Sequence, residues 1–256
     1  MKAFLMSPCP KGAGVVQCYI RRNKSGASKL FPEYHVYMRD GDRFLMCSKK
    51  RPNNKTSNYL VSMRAGDLDR SSFNYLGKLR ANFVGTEFQV FDDGDNPRDL
   101  APGADDGAGQ TRKELGCVLY ASNVLGSRGP RKMQVAIPSV GDDGVPKVWR
   151  PAGKDGSGSA IDRVKARDYG DALYMVNKPP RWNEQVGAYV LNFNGRVTMA
   201  SVKNFQLVSP DDFEAIILQF GRVAKDEFTM DFQYPMSPFQ AFAITLSSFD
   251  SKIACD

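Results

Sequence analysis

The chain has 256 residues, room for one large domain or two small ones, and its 42% apolar and 25% charged content is that of a globular protein, not a disordered one. Thirty-five Lys and Arg stand against 28 Asp and Glu, a net charge of +7 compatible with an anionic partner: nucleic acid, an anionic membrane or an acidic protein. No apolar run approaches the ~18–20 residues a membrane-crossing helix needs, and Phe4-Leu5-Met6 is too short for a secretory signal, so a soluble, non-secreted protein is expected.

In chain order, residues 15–22 alternate, with Val16, Cys18 and Ile20 on one side, the pattern of a half-buried strand. Short β-branched or aromatic runs follow at 34–38, 44–48, 59–63, 87–91, 115–121 and 133–137. Later runs cover 172–176, 188–193, 202–208, 215–220 and 227–232. About a dozen short strands punctuated by Gly, Pro, Asn and Asp predict an all-β sandwich or barrel. Two stretches rich in Asp, Gly and Pro, 92–111 and 141–158, read as surface loops, with Val148 and Trp149 able to anchor the second. Strand patterns of one type lie on both sides of each loop, so a single domain over 1–256 is expected. Ile161, Val164, Lys165 and Asp168 permit a short amphipathic helix between 159 and 171.

Residues 238–250 differ from the rest. Pro238 suits a first helical turn. Phe239, Ala241, Phe242, Ala243, Ile244, Leu246 and Phe249 would cover nearly the whole circumference. A helix apolar all round is buried on every side, and in an all-β chain the inside of a closed barrel provides that.

The site chemistry narrows by elimination. Cys9, Cys18, Cys47, Cys117 and Cys255 are odd in number and contain no CxxC pair, so zinc and thioredoxin-type sites are not supported and reduced, buried thiols are expected. The single histidine, His35, sits in a strand-like stretch and reads as structural. No motif places an acid/base pair, a nucleophile elbow or a phosphate loop, and Gly126-Ser127-Arg128-Gly129-Pro130 reads as a turn. A non-catalytic protein without metal or cofactor is expected.

Two long stretches then carry a resemblance. Asn194-Gly195-Arg196-Val197-Thr198-Met199-Ala200-Ser201-Val202-Lys203-Asn204-Phe205-Gln206 is similar to one signature of the Tubby C-terminal domain family. Ala241-Phe242-Ala243-Ile244-Thr245-Leu246-Ser247-Ser248-Phe249-Asp250-Ser251-Lys252-Ile253-Ala254-Cys255 is similar to the other. Lys55-Thr56-Ser57-Asn58-Tyr59-Leu60, Gly77-Lys78-Leu79-Arg80, Asn123-Val124-Leu125-Gly126, Gly129-Pro130-Arg131-Lys132-Met133 and Phe228-Thr229-Met230-Asp231 fit as well. The resemblance implies a mainly β fold, a closed twelve-stranded β-barrel around a central hydrophobic C-terminal α-helix. It also implies a partner: the headgroup of phosphatidylinositol 4,5-bisphosphate at the cytosolic face of the plasma membrane. The chain departs from the pattern in the Asp/Gly-rich insert after Asp92 and in ending on Asp256 where glutamate is usual. It also lacks the long N-terminal region of animal members and the F-box of plant members, so activities carried there are not assigned to it.

By the resemblance, Asn58, Lys78, Arg80 and Arg112 fall on the headgroup-contacting positions, with Lys55, Thr56 and Ser57 as secondary contacts. The chemistry is consistent. A bisphosphorylated ring is captured by converging Lys and Arg with neutral donors filling in. On a strand, Lys78 and Arg80 share one face while Leu79 takes the other, and if Leu79 is inside, the two cations stand side by side outside. Like charges so placed repel unless an anion or a carboxylate joins them. By the same alternation Tyr59 goes inward and Asn58 outward. The basic clusters Lys49-Lys50-Arg51 and Arg21-Arg22 with Lys24 either widen contact with anionic lipid or are solvated turns, and Arg196 and Lys203 either join them or satisfy carboxylates such as Asp226 or Asp231. The alternative reading is a nucleic-acid-binding, transcription-regulating domain in the nucleus, which predicts a basic stripe lined with exposed aromatics.

Overall fold

Short amphipathic strands can bury a shared face by curling it inward, and here they close on themselves. The structure is a computed structural model that describes residues 1–24, 26, 30–99, 111–121, 132–151, 157–185 and 187–250. The wall consists of β1 (Val16–Asn23), β2 (Glu33–Met38), β3 (Arg43–Lys50), β4 (Asn58–Ser62), β5 (Tyr75–Ala81), β6 (Glu87–Asp92), β7 (Glu114–Tyr120) and β8 (Met133–Pro138). β9 (Ala172–Asn177), β12 (Phe205–Ser209), β13 (Asp212–Ala224) and β14 (Glu227–Phe232) complete it. Neighbours pair in the order β1-β14-β13-β12-β9-β8-β7-β6-β5-β4-β3-β2 and back to β1, a closed barrel of twelve strands among the described residues. Closure leaves no unpaired edge to recruit another chain.

The lumen is filled by α3 (Pro238–Phe249), all of whose residues are buried. Ser237 and Gln240 form a reciprocal capping box at its start, with Pro238 in the first turn. Phe249 packs edge-on to Phe220 and Phe228 at 5.3 and 4.7 Å between ring centroids. The hydroxyls that interrupt its apolar surface are satisfied: Thr245 donates to the Phe242 carbonyl at 2.8 Å and Ser247 to that of Ile244 at 2.7 Å. Asp250, just past the helix, accepts from Lys50, Ser57 and Tyr59 at 3.1, 2.9 and 2.8 Å, fixing the plug to β3, β4 and the connection between them.

Several expectations shift in detail. The run at 188–193 is not a wall strand: β11 (Ala188–Val190) pairs with β10 (Arg181–Asn183) as a separate two-stranded ribbon, and Gly77-Lys78-Leu79-Arg80 supplies the wall strand instead. The run at 202–208 begins pairing only at Phe205, because residues 201–204 form a turn. α2 (Ala160–Lys165) is the expected short helix, capped by Ser159 and Asp162. α1 (Lys2–Met6) was not legible as a helix; its Leu5 is fully buried in the core. Trp149 is buried and anchors its loop, whereas Val148 is exposed. Cys9, Cys18, Cys47 and Cys117 are buried free thiols, burial pushing the Cys18, Cys47 and Cys117 pKa values up to about 12. Asn123, Gly129, Cys255, Asp256 and the distal part of the Asp/Gly-rich loop lie outside the described residues.

The 194–206 signature has a structural explanation. Arg196 donates to both carboxylate oxygens of Asp231 at 2.8 and 2.6 Å, and Gln206 donates to Gln219 and to the Asn192 carbonyl. The segment is thereby held against the outer face of β12, β13 and β14.

Candidate functional site

The first requirement is local. Leu76 and Leu79 both lie in the core, three residues apart, so β5 cannot alternate evenly. Gly77 absorbs the offset. Its φ is +151°, and a Cβ there would sit 2.2 Å from the Phe91 carbonyl oxygen and 2.8 Å from Cζ of Phe239 on the plug. Only glycine fits this close approach. Past it the strand alternates, Leu79 and Ala81 inward, Lys78 and Arg80 outward. The same rule sends Tyr59 inward and Asn58 outward on β4, as expected.

Register then assembles the site. Across β4 and β5, Asn58 faces Arg80 and Leu60 faces Lys78. Across β5 and β6, Lys78 faces Phe91 and Arg80 faces Gln89. Arg112, just before β7, is positioned by a 2.9 Å bond from its amide to the Asp95 carbonyl. Its guanidinium carbon lies 4.1 Å from the Phe91 ring centre, and Lys78 Nζ lies 5.9 Å from the same ring. Phe91 is therefore a buried aromatic floor gripped by two cations.

No carboxylate among the described residues lies within ion-pair distance of Lys78, Arg80 or Arg112. The nearby acid Glu114 is engaged elsewhere, accepting from Gln89 at 2.8 Å and from the Ala160 amide at 2.7 Å. Two polar atoms at the site are buried without a partner: Asn58 Oδ1 and Arg112 Nε. The expectation of two exposed cations side by side holds for Arg80 only, since Lys78 is 5% exposed and buried among its neighbours on the outer wall. Burial, then the repulsion of Arg112, Arg70 and Arg80, pushes the Lys78 pKa down from 10.5 to about 8, with Asp99 opposing weakly. Burial and Arg80 likewise lower that of Arg112. An uncompensated, half-desolvated cation cluster is a state that an anion relieves.

Arg70 was missed in the sequence. It sits in the irregular β4–β5 connection, where no periodicity points to it, and lines a depression of about 570 Å³ together with Arg51 and Leu60. The acids beside it are occupied: Asp67 accepts from Ser72 and Asn74, Asp69 from the Ser71 amide. Phe91 was legible in principle, because Phe88 and Val90 claim the inward face of β6 and leave an outward aromatic.

The remaining sites separate. Ser57 donates its hydroxyl to Asp250 and is committed to the plug, while Lys55 is exposed and Thr56 half-buried on the same connection. Arg21 and Arg22 lie on β1, not in a solvated turn, and pair with Glu227 and Asp226 at 2.9 and 2.8 Å. Lys203 donates to the Ser248 carbonyl at 3.1 Å. His35 lies 3.1 Å from Glu33 in an aromatic group with Tyr37 and Phe44 on the outer wall, a structural setting. No cluster of metal-ligating side chains occurs among the described residues.

The model of the Tub family matches residues 5–251. Tubby-related protein 2 of Mus musculus is 47% identical over 258 residues, covering 99% of this chain and 45% of that protein. Tubby-related protein 1 of Mus musculus is 44% identical, covering 100% and 46%. Protein king tubby of Drosophila pseudoobscura pseudoobscura is 43% identical, covering 99% and 54%. The chain thus spans about half the length of the curated relatives it matches.

Proposed function

The chain belongs to the Tub family, and from that premise we propose that it is a non-catalytic module that reads phosphatidylinositol 4,5-bisphosphate and tethers itself to the cytosolic face of the plasma membrane. The observation that carries this reading is the convergence of Lys78, Arg80 and Arg112 around Phe91 and Asn58 with no carboxylate among the described residues in ion-pair range. Arg112 and Arg80 supply forked donors, Lys78 a compact charge that a phosphate screens from its neighbours, and the Asn58 amide can meet a ring hydroxyl. Holding phosphate needs only donors; cleaving it would need a nucleophile and a general acid that this surface does not bring together. The nucleic-acid alternative is weakened by the pairing of Arg21, Arg22 and Arg196 with Glu227, Asp226 and Asp231, which removes basic residues from any continuous stripe.

The test is sedimentation with vesicles. Those containing phosphatidylinositol 4,5-bisphosphate are expected to carry the protein down, and phosphatidylserine vesicles of equal charge are not. Equal binding to both would reject headgroup recognition in favour of a general charge effect.

The depressed Lys78 pKa adds a pH signature. A bound anion holds Lys78 protonated, so above pH about 8 binding draws in a proton and weakens as pH rises. Affinity for the headgroup is expected to decline through pH about 8 in the parent and to stay flat in Lys78→Arg; titration calorimetry in buffers of different ionisation enthalpy reads the proton directly. The same group sets a stability trend without ligand. Its folded pKa is below its unfolded one, so the unfolded chain binds more protons between pH about 8 and 10.5, and this group's contribution to stability rises with pH across that window.

A further inference from the structure

We propose that the barrel end carrying the β3–β4 and β5–β6 connections faces the lipid bilayer, and that Phe83, with Val84, enters its interfacial layer while the cationic cradle holds the headgroup. This rests on the phosphoinositide reading and adds to it an orientation and a second, apolar contact.

Phe83 is 74% exposed and Val84 39%, at the tip of the turn from β5 to β6. One exposed phenylalanine on a loose loop is unremarkable, but this turn is built. Asn82 Oδ1 accepts from the Thr86 and Glu87 amides at 2.9 and 3.2 Å, its Nδ2 donates to Thr86 Oγ1 at 3.0 Å, and its own amide donates to the Glu87 carbonyl at 2.9 Å. The aromatic ring is held outward by a stapled hairpin at the end of the strand that bears Lys78 and Arg80.

Beside that turn lies a basic one. The Ala81 amide donates to the Ser57 carbonyl at 2.8 Å, joining the β5–β6 turn to the β3–β4 connection. That connection presents Arg51 and Lys55, and the end of β3 adds Lys49, none with a carboxylate in ion-pair range among the described residues. Apolar side chains flanked by unpaired Lys and Arg suit the boundary between acyl chains and anionic headgroups. Strand direction puts the connections β2–β3, β6–β7 and β12–β13 at the other end, where Asp40, Asp42, Asp93 and Asp211 stand among Arg39, Arg112 and Lys113 and the charge is mixed. An anionic surface attracts the basic end more strongly than this mixed one.

The headgroup fits the same orientation. In a 4,5-bisphosphorylated inositol lipid the phosphodiester leading to the glycerol leaves the ring opposite the 4-phosphate. Arg80 is next to the Phe83 end of β5, while Lys78 and Arg112 lie further along the wall toward the opposite end. With the distal phosphates on Lys78 and Arg112, the glycerol emerges past Arg80 toward Phe83.

The experiment compares vesicles containing the lipid with soluble inositol 1,4,5-trisphosphate, using the full chain and the variants Phe83→Ser and Phe83→Trp. Loss of one inserted aromatic is expected to weaken vesicle binding about tenfold in Phe83→Ser while leaving affinity for the soluble headgroup unchanged. In Phe83→Trp, indole emission beyond that of the two native tryptophans should shift to the blue on vesicles, be quenched by brominated acyl chains, and not respond to the soluble headgroup. Soluble headgroup binding with an unaffected Phe83→Ser, or no quenching beyond the parent's, overturns the orientation alone. Failure of the parent to bind either form overturns the cradle reading and this inference with it.

Discussion

Lys78→Ala combined with Arg80→Ala is expected to lower affinity for phosphatidylinositol 4,5-bisphosphate vesicles at least about 100-fold without lowering the stability of the free protein. Each charge-assisted contact to phosphate contributes about 1.5–3 kcal/mol, so losing two removes about 3–6 kcal/mol, a factor of roughly 100 to 10,000. The stability half of the result separates a binding role from a structural one. Lys78 is a buried cation facing Arg112, Arg70 and Arg80, and its depressed pKa shows that the fold disfavours its charge. Arg80 is exposed and makes no ion pair among the described residues. Removing the two therefore relieves repulsion, offset by some lost packing of the Lys78 stem; Lys78→Met keeps that stem and is expected to match or exceed the parent's thermal midpoint. A double variant that unfolds early would assign the pair to the scaffold, and one that binds vesicles like the parent would reject the cradle.

That opposition between stability and function explains what the sequence disclosed and what it withheld. Alternation is a local property. It was enough to send Leu79 and Tyr59 inward and Asn58 and Arg80 outward, and the all-round apolar pattern of residues 238–249 was enough to demand a helix enclosed on every side. Closure order and register depend on contacts between distant strands, so the facing of Lys78 by Phe91 and the arrival of Arg112 beside them required the structure. The family resemblance named Arg112, but nothing in its neighbourhood of sequence distinguishes it from any other arginine. Arg70 and α1 failed for a related reason: the first lies in an irregular connection, and the second is a five-residue helix whose existence depends on packing beneath the barrel, not on propensity. The run at 188–193 misled because a ribbon lying outside the barrel alternates in the same way as a wall strand.

Gly77 connects the plug to the cradle, and Gly77→Ala is expected to damage both. The added methyl meets the Phe91 carbonyl oxygen at 2.2 Å and the Phe239 ring at 2.8 Å, in a backbone conformation with φ of +151° that side chains rarely adopt. Strain at such a position contributes about 1–3 kcal/mol and overpacking about 1–3 kcal/mol more, so a loss of about 2–6 kcal/mol is expected in urea unfolding. Relief can come only from moving β5 away from β6 or from moving the plug. The first displaces Lys78 from Phe91 and weakens headgroup binding in molecules that remain folded; the second opens the core around Phe239 and leaves the cradle intact. Adding Phe239→Leu to Gly77→Ala discriminates between them. The smaller side chain clears the contact with the ring but leaves the closer one with the backbone oxygen, so stability should recover only in part and headgroup affinity should stay low. Full recovery of both would show that the plug alone requires glycine here and that the outer register of Lys78 is set without it.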